Sequence, residues 1–195
     1  MDYYQIIAER FQGTLENVAM SVDQLADPIG QASEYMSAVL LQDRKIVVCG
    51  NGVDAALAQL FSTSLLGYLD NERPALPALN LSADSASLTA IASIEGIGQG
   101  YSRQIRALGQ DGDLLLLINS GNEDLAAAVE AALERNMPVV LLSNRDDTTL
   151  PRLVEGHGVT ISADTGCRSR VVEVHTMVLQ TLCQLIEISL FGPRD

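Results

Sequence analysis

Apolar side chains in residues 1–42 recur at the period of an α-helix. Spacings of three and four place one set on a single helical face: Tyr4, Ile7, Phe11, Leu15 and Val18. A second set with the same period follows: Ile29, Ala32, Met36, Val39 and Leu40. Between the two sets, Asp27 suits a helix N-cap and Pro28 suits a first helical position. The pattern therefore predicts two N-terminal helices.

From residue 44 onward, short apolar runs alternate with helical patterns. The five runs predict buried strands at Lys45–Cys49, Ala78–Leu81, Leu114–Ile118, Val139–Leu142 and Val159–Ile161. Helices are predicted at about residues 54–69, 84–94, 99–108, 123–136 and 147–154, with a long last helix from Cys167 to Phe191. Gly192 and Pro193 then end that helix.

This alternation predicts an α/β fold with right-handed crossovers. We expect a single domain over residues 1–195, with residues 1–42 packing in an oligomer and residues 43–195 forming the α/β core. Five strands suggest a doubly wound, five-stranded parallel sheet of the flavodoxin-like type, with two N-terminal helices and a long C-terminal helix.

Ligands in such sheets bind beyond the carboxyl ends of the strands, where the strand order reverses. Two loops are expected to face that crevice. The ligand-cleft residues predicted from them are Gly50, Asn51, Gly52 and Asp54 after the first strand, and Asn119, Ser120, Gly121, Asn122 and Glu123 after the third.

Composition narrows the functional classes. The net charge is −13, from 12 basic and 25 acidic residues, which disfavours direct contact with nucleic acid. No apolar run is long enough to suggest a membrane span, and the N-terminus lacks the pattern of a signal peptide. The three cysteines (Cys49, Cys167 and Cys183) have no metal-type spacing, so we expect no metal and no cofactor. These features predict a cytoplasmic protein.

Several segments together resemble the sugar-isomerase (SIS) family, in the style of the phosphoheptose isomerases and the DnaA initiator-associating proteins. The segments are Ile46–Gly52, Asn71–Pro74, Arg103–Gly109, Gly112–Asp113, Ser120–Asn122, Glu173–His175 and Leu182–Ile186. The resemblance covers almost the whole chain. It implies an SIS fold and a homo-oligomer, in particular a tetramer.

The resemblance also implies where isomerase chemistry would lie. In the isomerases, the helix after the first loop supplies His and Glu, and the last helix supplies Gln and His. The corresponding residues here are Leu60, Ser64, Val172 and Gln180. None of the four can act as a base near neutral pH. We therefore expect a chain that is not an enzyme, with no catalytic residue at these positions. His175 is expected to be a packed helix residue.

Phosphate binding is also expected to be weak. Asp54 stands where the family presents a Ser, and Glu123 stands where it presents another. Both are interpreted as helix-capping carboxylates, which would occupy the positive helix ends that a phosphate needs and would repel it.

The resemblance implies one main function and two alternatives. We expect a non-catalytic oligomeric scaffold that binds the replication initiator DnaA through an exposed C-terminal pair, Leu190 and Phe191, and promotes or regulates replication initiation. The pair could instead pack on a neighbouring subunit. The alternatives are a phosphoheptose isomerase, acting on sedoheptulose 7-phosphate with a relocated base, and a phosphosugar-sensing protein.

Overall fold

The structure is a computed structural model, and it describes residues 1–193. Five strands and seven α-helices occupy these residues, with one short 3-10 helix at Ile97–Gln99. The strands are β1 (Ile46–Gly50), β2 (Ala78–Asn80), β3 (Leu114–Ile118), β4 (Val139–Asn144) and β5 (Gly158–Ala163). The helices are α1 (Tyr3–Leu41), α2 (Val53–Leu66), α3 (Ser85–Glu95), α4 (Gly100–Leu108), α5 (Ala126–Glu134), α6 (Leu150–Val154) and α7 (Arg168–Phe191).

All strand pairs are parallel, and the order across the sheet is β2-β1-β3-β4-β5. The predicted doubly wound, flavodoxin-like sheet is therefore confirmed. Its order reverses at β1, because the chain goes to one side for β2 and crosses to the other side for β3. Gly50 and Ile118, the last residues of β1 and β3, are partners in register. The loops after these two strands consequently start side by side.

The sheet is covered on both faces, which explains why its central strands read as continuous apolar runs. Alternate residues of β1 point to opposite sides: Ile46 and Val48 join one core cluster, whereas Val47 and Cys49 join the other. The first cluster contains α1, α2 and α7, and the second contains α4, α5 and α6.

The prediction of two N-terminal helices is wrong, because residues 3–41 form one continuous helix with Pro28 inside it. Proline removes one helical hydrogen bond and usually breaks a helix. Here Leu25 on one side of Pro28, and Ala32 and Met36 on the other, are buried in the same core cluster. Packing on both sides of the proline therefore holds the helix together.

By length and composition, α7 is apolar enough to cross a membrane. Core helices share these properties. Eight residues of α7 are buried, among them Val174, Leu179 and Leu182, and the helix packs along α1 and α2. Its apolar character is therefore explained by its position in the core.

Candidate functional site

The site lies at the carboxyl ends of β1 and β3, where the two predicted loops meet. The backbone N–H of Ser120 donates to Asp54 Oδ2 at 2.9 Å, which joins the loop after β3 to the first turn of α2. A methyl group built at Gly50 would lie 2.7 Å from Asp54 Cβ and 2.8 Å from Ile118 O. Only glycine fits such a close approach, so Gly50 allows the two loops to touch.

A second set of contacts fixes the end of β1. The Tyr101 hydroxyl donates to Gly50 O at 2.6 Å, and the Ser82 hydroxyl reaches the same oxygen at 3.1 Å. Tyr101 is buried, and its aromatic ring belongs to the core cluster on that side of the sheet. The carbonyl at the mouth of the site is therefore held from the α4 side.

The loop after β3 is held by amide and carboxyl side chains. Asn119 Oδ1 accepts from Glu123 N at 3.0 Å, and Asn119 Nδ2 donates to Glu123 O at 3.1 Å. Asn122 Oδ1 accepts from Asn144 Nδ2 at 2.8 Å, and Asp147 accepts from both Asn119 and Ser143. This network fixes the loop against β4, so its backbone is a rigid wall of the crevice.

The capping roles predicted for Asp54 and Glu123 are wrong. Asp54 lies in the first turn of α2, but its side chain accepts across the crevice from Ser120 instead of capping its own helix. Glu123 precedes α5, which begins at Ala126 without a side-chain cap. The Glu123 carboxylate instead pairs with Arg168 at 3.2 Å. Long-range partners have displaced the local ones in both cases.

The charge in the crevice is consequently lower than two bare carboxylates would give. Burial raises the pKa of the Asp54 carboxyl above its ordinary value, although the hydrogen bond from the backbone N–H of Ser120 and the charge of Arg168 oppose that shift. The negative charge of the Glu123 carboxylate is offset by its ion pair with the guanidinium of Arg168. The crevice should therefore repel a phosphate less strongly than the sequence predicts.

Two buried atoms in the crevice have no hydrogen-bond partner within residues 1–193: Asp54 Oδ1 and Ser120 Oγ. Such atoms are uncommon in folded proteins, because leaving a buried polar group unpaired costs free energy. Both belong to residues that are joined by the hydrogen bond from Ser120 N to Asp54 Oδ2. They provide a carboxyl oxygen and a hydroxyl that a polar ligand could use.

The four positions compared with isomerase residues lie further along α2 and α7, beyond the first turns that carry Asp54 and Arg168. Leu60 and Val172 are partly buried against the core cluster between these helices. Ser64 donates its hydroxyl to Leu60 O at 2.9 Å, and Gln180 is exposed. We call these four positions the α2–α7 face; they offer two apolar side chains, a hydroxyl and an amide, and none of the four is a base.

Both histidines are accounted for without a role in the crevice. His175 is fully buried, and its Nε2 lies 2.9 Å from Ser143 O, as expected of a packed helix residue. Burial lowers the pKa of His175 to about 4, so it is neutral at pH 7. His157 is exposed in the turn before β5. Within residues 1–193, no group of three His, Cys, Asp or Glu side chains could hold a metal ion.

Sequence reasoning missed Arg168, Tyr101 and Ser82 as parts of the site. Tyr101 and Ser82 reach Gly50 from elements about 50 and about 30 residues away in the chain, and no local pattern marks such contacts. Arg168 did carry a signal. It begins α7, and a positive charge at a helix N-terminus is unfavourable unless another interaction holds it there.

Comparison with known proteins fits this architecture. Residues 10–144 match the SIS domain family. This chain belongs to the SIS domain family. It is 40% identical over 194 residues to a phosphoheptose isomerase from Halorhodospira halophila, covering 98% of each chain. It is also 39% identical over 187 residues to a DnaA initiator-associating protein from Photorhabdus laumondii, covering 95% of each chain.

Solved structures agree with the sequences. The fold matches a phosphoheptose isomerase from Neisseria gonorrhoeae with a TM-score of 0.88 and 31% identity, covering 94% of this chain and 98% of that one. A phosphoheptose isomerase from Francisella tularensis matches with a TM-score of 0.90 and 29% identity, covering 95% of this chain and 98% of that one.

The expectation that the chain is not an enzyme is wrong, because relatives that are 36%, 38% and 40% identical to it, and a solved structure that its fold matches, are named for an enzyme, phosphoheptose isomerase. None of the side chains at the four family positions can act as a base: Leu60, Ser64, Val172 and Gln180. A base supplied from the crevice is not excluded by these replacements.

Proposed function

We propose that this SIS protein binds a phosphorylated sugar in the crevice between β1 and β3 and interconverts its aldose and ketose forms. The observation that carries the proposal is the 40% identity to a phosphoheptose isomerase over 98% of both chains. The crevice supports it with an arginine, a buried carboxyl and an unpartnered hydroxyl.

The chemistry requires a group that removes a proton from the carbon next to the carbonyl and returns one to the neighbouring carbon. The hydroxyl proton moves to the former carbonyl oxygen, so the sugar is isomerised without gain or loss of atoms. Asp54 is our candidate base. Its Oδ1 has no partner within residues 1–193, and burial raises its pKa toward the range in which a carboxylate accepts protons effectively.

A coupled isomerase assay with sedoheptulose 7-phosphate tests this function. We expect turnover above background for the wild-type chain, and a loss of at least about 100-fold in Asp54→Asn, the scale of general-base catalysis. The amide keeps an oxygen that can accept from Ser120 N, so the loops should stay joined. Absence of turnover in the wild-type chain contradicts the proposal.

The match to a DnaA initiator-associating protein favours a second function, association with a DnaA-type initiator. An acidic chain suits a partner that is basic. The two residues of the predicted contact pair differ in exposure: Phe191 is 39% exposed, whereas Leu190 packs partly on the core. Phe191 is therefore the better candidate for the partner interface.

A pull-down with purified DnaA tests that association. Phe191→Ala should weaken capture, whereas Ile97→Ala, which removes a more exposed apolar side chain on another surface, should not. Equal capture by all three proteins removes Phe191 from the interface, and no capture by wild type removes DnaA as a partner.

Self-association is the third part of the proposal. The first half of α1 exposes large apolar side chains that nothing within residues 1–193 covers: Tyr3, Tyr4, Ile6, Ile7, Phe11, Leu15 and Met20. Further along α1, an apolar groove of about 440 Å³ lies against α7. Exposed apolar surface of this extent is typical of subunit contacts. A tetramer, as implied by the family resemblance, would bury it.

Light scattering tests the assembly. The wild-type chain should have about four times the 20.9 kDa of one chain. Phe11→Asp combined with Leu15→Asp should lower that mass, because two charges would enter the contact. Ile97→Asp serves as the matched control on another surface. A wild-type mass of one chain contradicts the proposal.

A further inference from the structure

Arg168 lies across the two glycine turns of the crevice. A methyl group built at Gly121 would lie 3.0 Å from Arg168 Cζ, and one built at Gly52 would lie 4.0 Å from Arg168 Nη2. Gly52 also has φ of 58°, a conformation that favours glycine. The two turns therefore leave space that the guanidinium occupies, and a side chain at Gly121 would displace it.

The fold alone does not explain why an arginine stands there. Arg168 is the first residue of α7, where the helix dipole disfavours a positive charge. Its side chain is 50% exposed and is held by one ion pair, to Glu123 at 3.2 Å. Exposed ion pairs of this kind contribute little to stability. A half-exposed guanidinium with one replaceable partner is suited to bind an anion.

Two neighbouring groups also indicate a ligand. Ser120 is only 3% exposed, and its Oγ has no hydrogen-bond partner within residues 1–193. Asp54 Oδ1 is unpartnered in the same way. Arg168 and Glu123 are both close enough to Asp54 to act on it electrostatically. The arginine and the unpartnered hydroxyl thus belong to one small site.

We propose that Arg168 holds the phosphate of the phosphosugar and exchanges Glu123 for the ligand when it binds. The inference rests on the proposed function and assigns its specificity for a phosphorylated substrate to this residue. The planar guanidinium can donate two parallel hydrogen bonds to phosphate oxygens, which are stronger than bonds between neutral groups. Arg168 would compensate for the serine hydroxyl that Glu123 replaces.

Glu123 then acts as a competitor of the ligand. In the free protein it occupies Arg168, and its negative charge opposes that of a phosphate. Removing the charge of Glu123 should therefore strengthen phosphate binding, whereas removing the charge of Arg168 should weaken it. If the pair only braces the loop, both changes should weaken binding. The two roles predict opposite signs for Glu123.

Calorimetric titration with sedoheptulose 7-phosphate, and with inorganic phosphate as a smaller probe, separates these roles. Arg168→Gln should weaken binding by about 10- to 100-fold, the range for a hydrogen bond to a charged group. Arg168→Lys keeps the positive charge but loses the planar guanidinium, so its affinity should lie between those of wild type and Arg168→Gln. Glu123→Gln should bind about threefold more tightly, since an exposed ion pair no longer competes.

The matched control is Arg106→Gln, which breaks another exposed arginine–glutamate pair, between Arg106 in the last turn of α4 and Glu134 at the end of α5. It should bind like wild type. Thermal unfolding verifies that each variant is folded. Equal binding by Arg168→Gln and wild type overturns the inference and leaves the proposed function standing. Weaker binding by both Arg168→Gln and Glu123→Gln also overturns it. No binding of either probe by the wild-type chain overturns both.

Discussion

The α2–α7 face and the crevice between β1 and β3 are built from different chemistry. The face carries Leu60 and Val172 against the core, with no base. The crevice carries Asp54 and Ser120 with unpartnered buried atoms, and Arg168 held by one exposed ion pair. Hydrocarbon that is well packed serves stability, and buried polar atoms without partners serve a ligand. The two regions are therefore expected to respond differently to substitution.

The largest expected effect on stability comes from His175, whose side chain is buried between α7 and β4. Burial lowers its pKa to about 4, whereas the unfolded chain has the ordinary value of 6.5. The unfolded state therefore binds a proton that the folded state does not. The free energy of unfolding should fall as the pH falls from 6.5 to 4, by about 3 kcal/mol in total.

Urea unfolding of the wild-type chain and His175→Gln at pH 7 and pH 5 measures that contribution. The difference between the two proteins isolates His175 from other titrating groups. The stability of wild type should fall more steeply between these pH values than that of the variant. Parallel losses in the two proteins would show that His175 does not titrate as its burial requires.

A smaller effect is expected at Leu60, where the face and the crevice can be told apart directly. Leu60→Ala should lower the free energy of unfolding by about 2 kcal/mol, as a partly buried leucine loses its packing. It should leave kcat/KM for sedoheptulose 7-phosphate unchanged. Leu66→Ala, an exposed position on the same helix, is the control for helix propensity. A loss of turnover in Leu60→Ala would place the chemistry on the α2–α7 face.

The smallest effect is expected at Ser120. Its hydroxyl has no partner within the described residues 1–193, so Ser120→Ala should change the free energy of unfolding by less than about 1 kcal/mol. The same change should weaken binding of sedoheptulose 7-phosphate about fivefold, as one neutral hydrogen bond is lost. Calorimetry and urea unfolding measure the two quantities. A large loss of stability with unchanged binding would make the hydroxyl structural.

Much of the fold could be predicted because it depends on local patterns. The apolar runs of β1 and β3 are each buried over all five residues, and their alternation with helices is sufficient to predict the parallel order. Pro28 misled the prediction of α1, since burial of residues on both sides of it outweighs one lost hydrogen bond. Tertiary packing, which no local pattern records, decided that element.

The sequence is sufficient to predict which loops form the crevice, but not which side chains contact each other within it. The strand order places the loops that begin near Gly50 and Ser120 at the switch point of the sheet, as the sequence predicts, whereas their role in binding a ligand stays a prediction. The partners of Asp54 and Glu123 are 66 and 45 residues away, so their capping roles were assigned to the nearest helix ends instead. Arg168 was overlooked for the same reason. Contacts between distant segments determine the charge of this site, and they become visible only when the loops are brought together.

The most direct test of the account is a crystal structure of the chain with sedoheptulose 7-phosphate. We predict the phosphate against Arg168, with Glu123 released from its ion pair and the sugar chain extending from there into the crevice that holds Asp54. A sugar bound on the α2–α7 face near Leu60 and Gln180, with the Arg168–Glu123 pair intact, would contradict it.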